Sequence, residues 1–311
     1  MILSIAISLA LTGARNSPWI RGRLFKHNPP SNLFAKYMPI TLEEVESDVT
    51  EAVVRGATFV HIHARNPWTG AQFADLGWYN ETAKRVREIN PNLILSFPTS
   101  RKMEVGHQIE RSLQRIERTQ GNPPGKYDQA HEELKIRAVA IEAHPDTLTT
   151  FTVPEVKMLG ALRDSTGVEH VHGWTDPEVM QIYYHSLIQR ARELNVMQEV
   201  EITTIGQFEV LDKMAQSGQY HMDAPMHFVV LLGFSNGLPI NKATYDTALK
   251  KIEKLRHGVE HPTIISVGAV IRPHEANPSS KTDAGGGKHD YHEVINSVAG
   301  DPRVSIFRVW L

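Results

Sequence analysis

Two histidines separated by one residue are the strongest chemical signal in this sequence. His61 and His63 lie in residues 56–65, where Phe, Val and Ile predict a buried strand. Residues i and i+2 of a strand point to the same side, so both imidazoles are expected to lie close enough to bind one metal ion. Asn66 and Pro67 follow at once, which puts the pair at the carboxyl end of the strand, where parallel α/β folds keep their active sites. Two histidines satisfied by ordinary hydrogen bonds are the alternative interpretation.

The composition limits the classes of protein to consider. The chain has 311 residues, a net charge of −2 and no cysteine. The length fits one large α/β barrel or two ordinary domains, and the charge favours neither nucleic acid nor a membrane as partner. The missing cysteines exclude disulfides, thiolate metal sites and cysteine nucleophiles. The apolar segment Met1–Leu11 has no preceding Lys or Arg and is too short to span a bilayer, so it is predicted to be a strand of a cytoplasmic protein.

Hydrophobic segments and turn residues predict eight strands that alternate with helices. The strands are expected at residues 2–12, around His61 and His63, and at 93–98, 136–143, 199–203, 226–232, 263–270 and 304–309. The helices are expected after a capping box at Thr41 and Glu44, and at 76–89, 106–119, 154–163, 176–195, 206–217, 243–256 and 289–298.

This alternation predicts a (β/α)8 TIM barrel, with residues 1–311 as a single domain. A doubly wound fold of two domains is the alternative. It would normally carry a glycine-rich fingerprint after the first strand, and Thr12-Gly13-Ala14-Arg15 lacks that pattern. In a barrel, strands eight, one and two are neighbours, so Arg15 and Arg308 are expected near the histidine pair.

The run from Gly56 through His61-x-His63-x-Arg65 to Gly70 resembles the β-keto acid cleavage enzyme family, which consists of zinc-dependent barrels. Similar matches occur in the same order along nearly the whole chain, at residues 11–14, 39–44, 199–201, 225–233 and 307–311. The resemblance implies that a β-keto acid and acetyl-CoA are converted into acetoacetate and a new acyl-CoA. It also implies that zinc polarises the keto acid, and that the protein is a homo-oligomer.

The resemblance assigns roles to four residues. His61 and His63 correspond to two zinc ligands, Arg308 to an arginine that assists a catalytic aspartate, and Glu201 to a glutamate of the substrate pocket. In the family, a glutamate ligand and that aspartate follow the segment matching residues 307–311. The chain as given is therefore expected to lack both, together with the last barrel helix, and to be an incomplete enzyme.

Two other departures leave the particular keto acid open. Arg15 stands where the family commonly has a glutamate, and could bind a substrate carboxylate or pair with an acidic residue. Thr99 and Ser100 follow Pro98 where the family has a Ser-Thr-Gly-Gly-like turn. Their hydroxyls could donate to a substrate carboxylate or cap a helix.

Weaker signals carry simpler alternatives. Gly286, Gly287 and Lys288 follow the seventh strand, where barrels often bind phosphate, and could hold a CoA phosphate or form a surface loop. Glu142 and His144 could supply a surrogate metal ligand, although their strand should lie across the barrel. His289 and His292 have helical spacing and could share a metal, but a solvated helix start is the preferred explanation.

Two other functions remain open from the sequence. A metal-dependent hydrolase of the amidohydrolase type would also use an H-x-H pair, but on the first strand rather than the second. A barrel without catalytic carboxylates would only bind a ligand.

Overall fold

The structure is a computed structural model. The described residues are 6–11, 39–65, 74–99, 135, 138–151, 162–163, 169–170, 177–218, 220, 222–233, 238–269, 296–298 and 301–310.

Eight parallel strands form one curled sheet. They are β1 (Ala6–Leu11), β2 (Ala57–Ile62), β3 (Ile94–Phe97), β4 (Thr147–Phe151), β5 (Met197–Ile202), β6 (Met226–Leu232), β7 (Thr263–Ala269) and β8 (Ile306–Trp310). They pair in the order β1-β8-β7-β6-β5-β4-β3-β2, and β2 pairs with β1 to close the ring. The expected neighbourhood of strands eight, one and two is therefore confirmed.

Among the described residues, long helices lie in five of the connections between these strands. They are α1 (Leu42–Val54), α2 (Leu76–Ile89), α3 (Pro177–Glu193), α4 (Gly206–Gln216) and α5 (Lys242–Leu255). Their positions confirm the helices predicted there to within two residues at each end. Together with the sheet they make an α/β fold. The helix predicted at 106–119 and most of the one at 289–298 lie outside the described residues.

Side chains at the helix starts fix where several helices begin. Thr41 Oγ1 accepts the Glu44 amide proton at 3.2 Å, and the Glu44 carboxylate accepts the Thr41 amide proton at 3.0 Å. The predicted capping box of α1 is thus present. Asp75 and Asn241 cap α2 and α5 in the same way, with Asp75 accepting from an amide at 2.7 Å. Gly56 ends the α1–β2 turn at φ +92°, a conformation that favours glycine.

The fourth strand was predicted in the wrong place. Residues 139–143 form a short 3₁₀-helix that ends at His144 in a left-handed conformation, and β4 begins only at Thr147. The apolar run Ala140-Ile141 is buried, and a short buried apolar run does not distinguish a strand from a helix. The helix predicted at 154–163 is also wrong at its end, because Leu162–Arg163 pairs with Glu169–His170 as a short antiparallel ladder.

The apolar core lies between the sheet and the helices. On β2, Val60 and Ile62 are fully buried and alternate with His61, so they face outward, towards the helices. Val45 and Val49 of α1 contribute the matching helical stripe. Burying each such side chain contributes about 1.5–3 kcal/mol, which makes this layer the main source of stability. Within the described ranges, no helix has the length and hydrophobicity needed to cross a membrane.

Candidate active site

The predicted histidine pair is present at the carboxyl end of β2. His61 is the fifth of the six residues in the strand, and His63 follows its end. The two Nε2 atoms face each other at 3.2 Å, and the rings meet edge to face with centroids 4.9 Å apart. His61 is 3% exposed and His63 is half-buried, so only His63 borders a more open part of the mouth.

Ser96 connects His61 to a buried carboxylate. His61 and Ser96 are partners in the β2–β3 ladder, and the Nδ1 atom of His61 lies 2.8 Å from the Ser96 hydroxyl oxygen. The Ser96 hydroxyl in turn donates to Glu199 Oε2 at 3.0 Å. A hydrogen-bonded chain therefore runs from the His61 imidazole into the centre of the barrel.

Glu199 lies at the centre of a polar cluster inside the barrel and is 0% exposed. Besides Ser96, its carboxylate accepts hydrogen bonds from Thr147 at 3.0 Å and from Thr149 at 3.1 Å. The two threonines alternate on β4 and so face the interior together. An ionised carboxylate can only accept, and buried charge is tolerated only when hydrogen bonds surround it. The three hydroxyl donors meet that requirement.

A second imidazole completes this cluster on the far side. His227 Nδ1 lies 3.2 Å from Glu199 Oε2, and its Nε2 lies 2.5 Å from the Ser266 hydroxyl. The edge of the His227 ring packs against Phe59 with centroids 5.3 Å apart. Glu199 thus lies between two histidines, because its Oε1 is 3.7 Å from His61 Nδ1.

Arg65 adds a buried cation just after the histidine pair. Its side chain is 1% exposed, and this burial lowers the pKa of the guanidinium to about 10. Even with that shift it stays protonated at neutral pH. A buried positive charge therefore follows His63 by two residues along the chain.

The other predicted site residues fall in different places. Glu201 follows Glu199 by two residues on β5, shares its strand face, and is half-buried. The Thr99 hydroxyl donates to the Thr149 backbone oxygen at 2.6 Å. In β8, Arg308 pairs with Ser8 of β1, and Ser8 pairs with Phe59 of β2. Five predicted site residues lie outside the described part of the chain: Arg15, Ser100, Gly286, Gly287 and Lys288. His289 and His292 lie there too.

The Glu142 side chain pairs with an arginine at the end of the barrel opposite the histidine pair. Its carboxylate accepts two hydrogen bonds from the Arg190 guanidinium, at 2.8 and 2.6 Å, and these bonds lower the pKa of Glu142. Both residues precede strands, β4 and β5, so they lie at the amino end of the barrel, opposite the histidine pair. The suggestion that Glu142 could be a surrogate metal ligand is therefore wrong.

The sequence interpretation missed most of the interior cluster: Ser96, Thr147, Thr149, Glu199, His227 and Ser266. One signal was available, because polar residues at alternate positions of apolar strands must face the barrel interior. His227 stands in the run Met226–Leu232, which is otherwise apolar and completely buried. Within the ranges the structure describes, no group of three or more His, Asp or Glu side chains is arranged to hold a metal ion.

These features define the class of the protein. It is an α/β protein with a curled parallel sheet and two histidines paired at the end of one strand. The chain belongs to the beta-keto acid cleavage enzyme family, whose model matches residues 31–276. The resemblance noted from the sequence is thereby confirmed.

Known proteins with similarity to this chain include one curated relative and several solved structures. The 3-dehydrocarnitine:acetyl-CoA trimethylamine transferase of Rhizobium meliloti (strain 1021) is 32% identical over 63 residues, which cover 20% of this chain and 21% of that protein. ObcA, in a ternary complex with a C4-CoA adduct and oxalate, has a TM-score of 0.49 at 12% identity, covering 88% of this chain and 57% of its own. The homocysteine methyltransferase MmuM from Escherichia coli has a TM-score of 0.44 at 10% identity, covering 99% and 91%. The chain therefore spans just over half of the ObcA chain.

Proposed function

We propose that this protein is a zinc-dependent enzyme that cleaves a β-keto acid with acetyl-CoA, built on a (β/α)8 TIM barrel. The observation that carries the proposal is the pair of facing Nε2 atoms in a chain of the β-keto acid cleavage enzyme family. The name of the R. meliloti relative, which includes acetyl-CoA, supports acetyl-CoA as co-substrate.

The geometry of the pair fits a shared metal ion. Two nitrogens bound to one tetrahedral zinc at about 2.0–2.1 Å must be about 3.3 Å apart. The observed separation of 3.2 Å is close to that value. Two imidazoles supply half of a tetrahedral shell, and His61 Nδ1 is already engaged with Ser96, which leaves Nε2 as the coordinating atom.

The net reaction exchanges one acyl group for another. The bond between the keto carbon and the adjacent methylene of the β-keto acid breaks, and the methylene forms a bond to the acetyl carbon. The CoA sulfur leaves that acetyl group and joins the released acyl group, so acetoacetate and a new acyl-CoA result. Zinc would act as a Lewis acid that polarises the substrate carbonyl.

The protein's own residues would bind and orient the substrate. Arg65 supplies positive charge near the mouth for an anionic keto acid. Glu201 is the more accessible of the two carboxylates on this strand face, because Glu199 is enclosed by hydrogen bonds, so Glu201 is the one proposed to face substrate. Arg308 is proposed to act in the transition state. An Arg308→Met variant should lose turnover without losing its folded structure.

The remaining assignments stay predictions. These are the substrate-binding roles of Arg15, Thr99 and Ser100, the CoA-phosphate role of Gly286, Gly287 and Lys288, the homo-oligomeric state and the cytoplasmic location.

A direct test combines metal analysis with an activity screen. The protein is loaded with zinc and assayed with acetyl-CoA over a panel of β-keto acids, following acetoacetate and acyl-CoA. The double variant His61→Ala/His63→Ala should lose bound zinc and activity, whereas His257→Ala, which removes an exposed histidine after α5, should keep both. Zinc retained by the double variant would refute the site. Zinc-dependent amide hydrolysis instead would indicate the amidohydrolase type, and tight ligand binding without turnover would indicate a non-catalytic barrel.

A further inference from the structure

The chain of contacts from Glu199 through Ser96 to His61 determines which ring nitrogen of His61 carries the proton. A serine hydroxyl has one proton to donate and two lone pairs that can accept. The Ser96 hydroxyl donates its proton to Glu199 Oε2. The 2.8 Å contact between Ser96 and His61 Nδ1 must then be donated by the histidine.

The same logic fixes the other ring nitrogen. A neutral imidazole carries one N–H and one lone pair, so an Nδ1–H donor leaves the lone pair on Nε2. Nε2 is the atom that faces His63 at 3.2 Å. We infer that Glu199 is a positioning residue, which acts through the Ser96 hydroxyl to hold His61 as the Nδ1–H tautomer with its Nε2 lone pair directed at the metal position. The metal side of this inference rests on the proposed zinc site.

The cluster around Glu199 keeps this direction of donation from reversing. Thr147 donates to the same Oε2 atom and Thr149 to Oε1, so both oxygens of the carboxylate already accept hydrogen bonds. Ser96 and Glu199 are both 0% exposed, so water does not compete for these bonds. Partners of this kind, behind a metal ligand, typically contribute 10- to 100-fold in metal affinity.

Thr147 offers a matched control. It donates to the same carboxylate oxygen as Ser96, at the same distance of 3.0 Å, and its hydrogen bond to Glu199 does not involve His61. Thr147→Val therefore removes a hydroxyl from Glu199 while keeping the Ser96 link, whereas Ser96→Ala breaks the link itself. A general loss of packing or of charge stabilisation would affect both variants alike.

The first readout is the tautomer in metal-free protein. The protein is labelled with ¹⁵N-histidine, and two-bond ¹H–¹⁵N correlations distinguish the two tautomers. The His61 signal is identified by its loss in His61→Gln. We expect Nδ1–H in the wild type and in Thr147→Val, and a shift towards Nε2–H in Ser96→Ala. An Nε2–H tautomer in the wild type would overturn the inference without any variant.

The second readout is affinity for Zn²⁺ and Co²⁺, measured by competition with a chromophoric chelator. Ser96→Ala should bind about 10- to 100-fold more weakly than wild type, and Thr147→Val within about twofold. Equal affinities for Ser96→Ala and wild type would overturn the positioning role while leaving the zinc site intact. A wild-type protein that binds neither ion would refute the proposed zinc function, and the tautomer measurement would still decide the hydrogen-bond argument.

Discussion

The two ends of the barrel handle charge in opposite ways. Towards the carboxyl end and in the interior, the buried carboxylate of Glu199 is held by serine and threonine hydroxyls and by histidine. At the amino end, the connections before the strands carry arginines that contact carboxylates and backbone carbonyls. These are Arg87, Arg190, Arg256 and Arg303.

The amino-end contacts join consecutive parts of the fold. Arg256 at the end of α5 donates to Thr263 Oγ1 at 2.9 Å and to the carbonyls of Met222 and His261, which ties the residues before β6 and β7 together. Arg87 of α2 reaches Asp146, just before β4, at 2.6 Å. Such contacts connect neighbouring parts of the fold and do not depend on the tautomer of any histidine.

This difference indicates that the chemistry and the stability of the fold depend on different ends of the barrel. A buried carboxylate surrounded by neutral donors is costly to assemble and contributes little net stability, so its value lies in orienting other groups. Arginine contacts at the other end stabilise the fold and lie far from the histidine pair. Substitutions at the two ends should therefore separate activity from stability.

The largest effect is expected on activity, from His61→Ala. Removing one of the two proposed imidazole ligands should lower zinc affinity and turnover by more than about 100-fold, since loss of a mere supporting contact already costs about 10- to 100-fold. The urea midpoint of the metal-free protein should stay near that of the wild type. A lower urea midpoint together with unchanged zinc affinity would make His61 a structural residue, and the contrast between the two ends of the barrel would fail.

The largest effect on stability is expected from Arg256→Met. The side chain is 7% exposed, and its loss leaves several carbonyl oxygens without their donor. We expect the free energy of unfolding to fall by about 2–4 kcal/mol, with turnover per folded molecule unchanged. Urea denaturation measures the first quantity and active-site-normalised kinetics the second. Lys254→Met, which removes an exposed cation from the same helix end, should change neither.

A smaller, pH-dependent effect is expected from Asp301→Asn. The Arg303 guanidinium lowers the pKa of Asp301 to about 2, and the Tyr245 hydroxyl donates to the same carboxylate at 2.8 Å. A folded pKa below the unfolded value of about 3.9 stabilises the fold fully above about pH 4, and this stabilisation disappears as the pH falls towards 2. We expect a loss of about 1–2 kcal/mol at pH 7, allowing for partial solvent screening.

The measurement is urea unfolding of both proteins between pH 7 and 3. The difference between wild type and Asp301→Asn should be constant above about pH 5 and should shrink below about pH 4. A difference that grows on acidification would contradict the assigned cause.

The sequence predicted the parts of the fold that depend on local patterns. The capping box at Thr41 and the placement of His61 beside His63 follow from spacing alone, and the structure confirms both. The fourth strand failed because the buried run around Ile141 has the same hydrophobic pattern in a strand or a helix. Local spacing does not determine whether such a run forms a strand or a helix, because its packing against the rest of the fold determines this.

The interior cluster could not be located from spacing either. Glu199 and Glu201 share one strand face, so the pattern treats them alike, and the sequence interpretation chose Glu201. Which of the two becomes enclosed depends on the register between β5 and its neighbours. Thr149 and His227 lie opposite Glu199 in those ladders. The register depends on three separated segments of the chain, and a prediction made one strand at a time cannot include it.

The smallest effect is expected for the Glu51–Arg55 pair on α1, which is the more exposed counterpart of the Arg190–Glu142 pair at the amino end. Arg55 donates from Nε at 2.9 Å and from Nη2 at 2.6 Å, both to Glu51 Oε1, whereas Arg190 donates at 2.8 and 2.6 Å to the two different oxygens of Glu142. The side chains of Glu51 and Arg55 are 64% and 76% exposed, whereas those of Arg190 and Glu142 are each 38% exposed. Water screens the more exposed pair, so a double-mutant cycle with Glu51→Gln and Arg55→Gln should give a coupling below about 0.5 kcal/mol that vanishes in high salt. The cycle for Arg190 and Glu142 should give the larger coupling and keep part of it in salt. Equal couplings would mean that neither the lower exposure nor the use of both carboxylate oxygens strengthens the Arg190–Glu142 pair. The distinction drawn for the amino end would then have to rest on Arg256 and its backbone carbonyls.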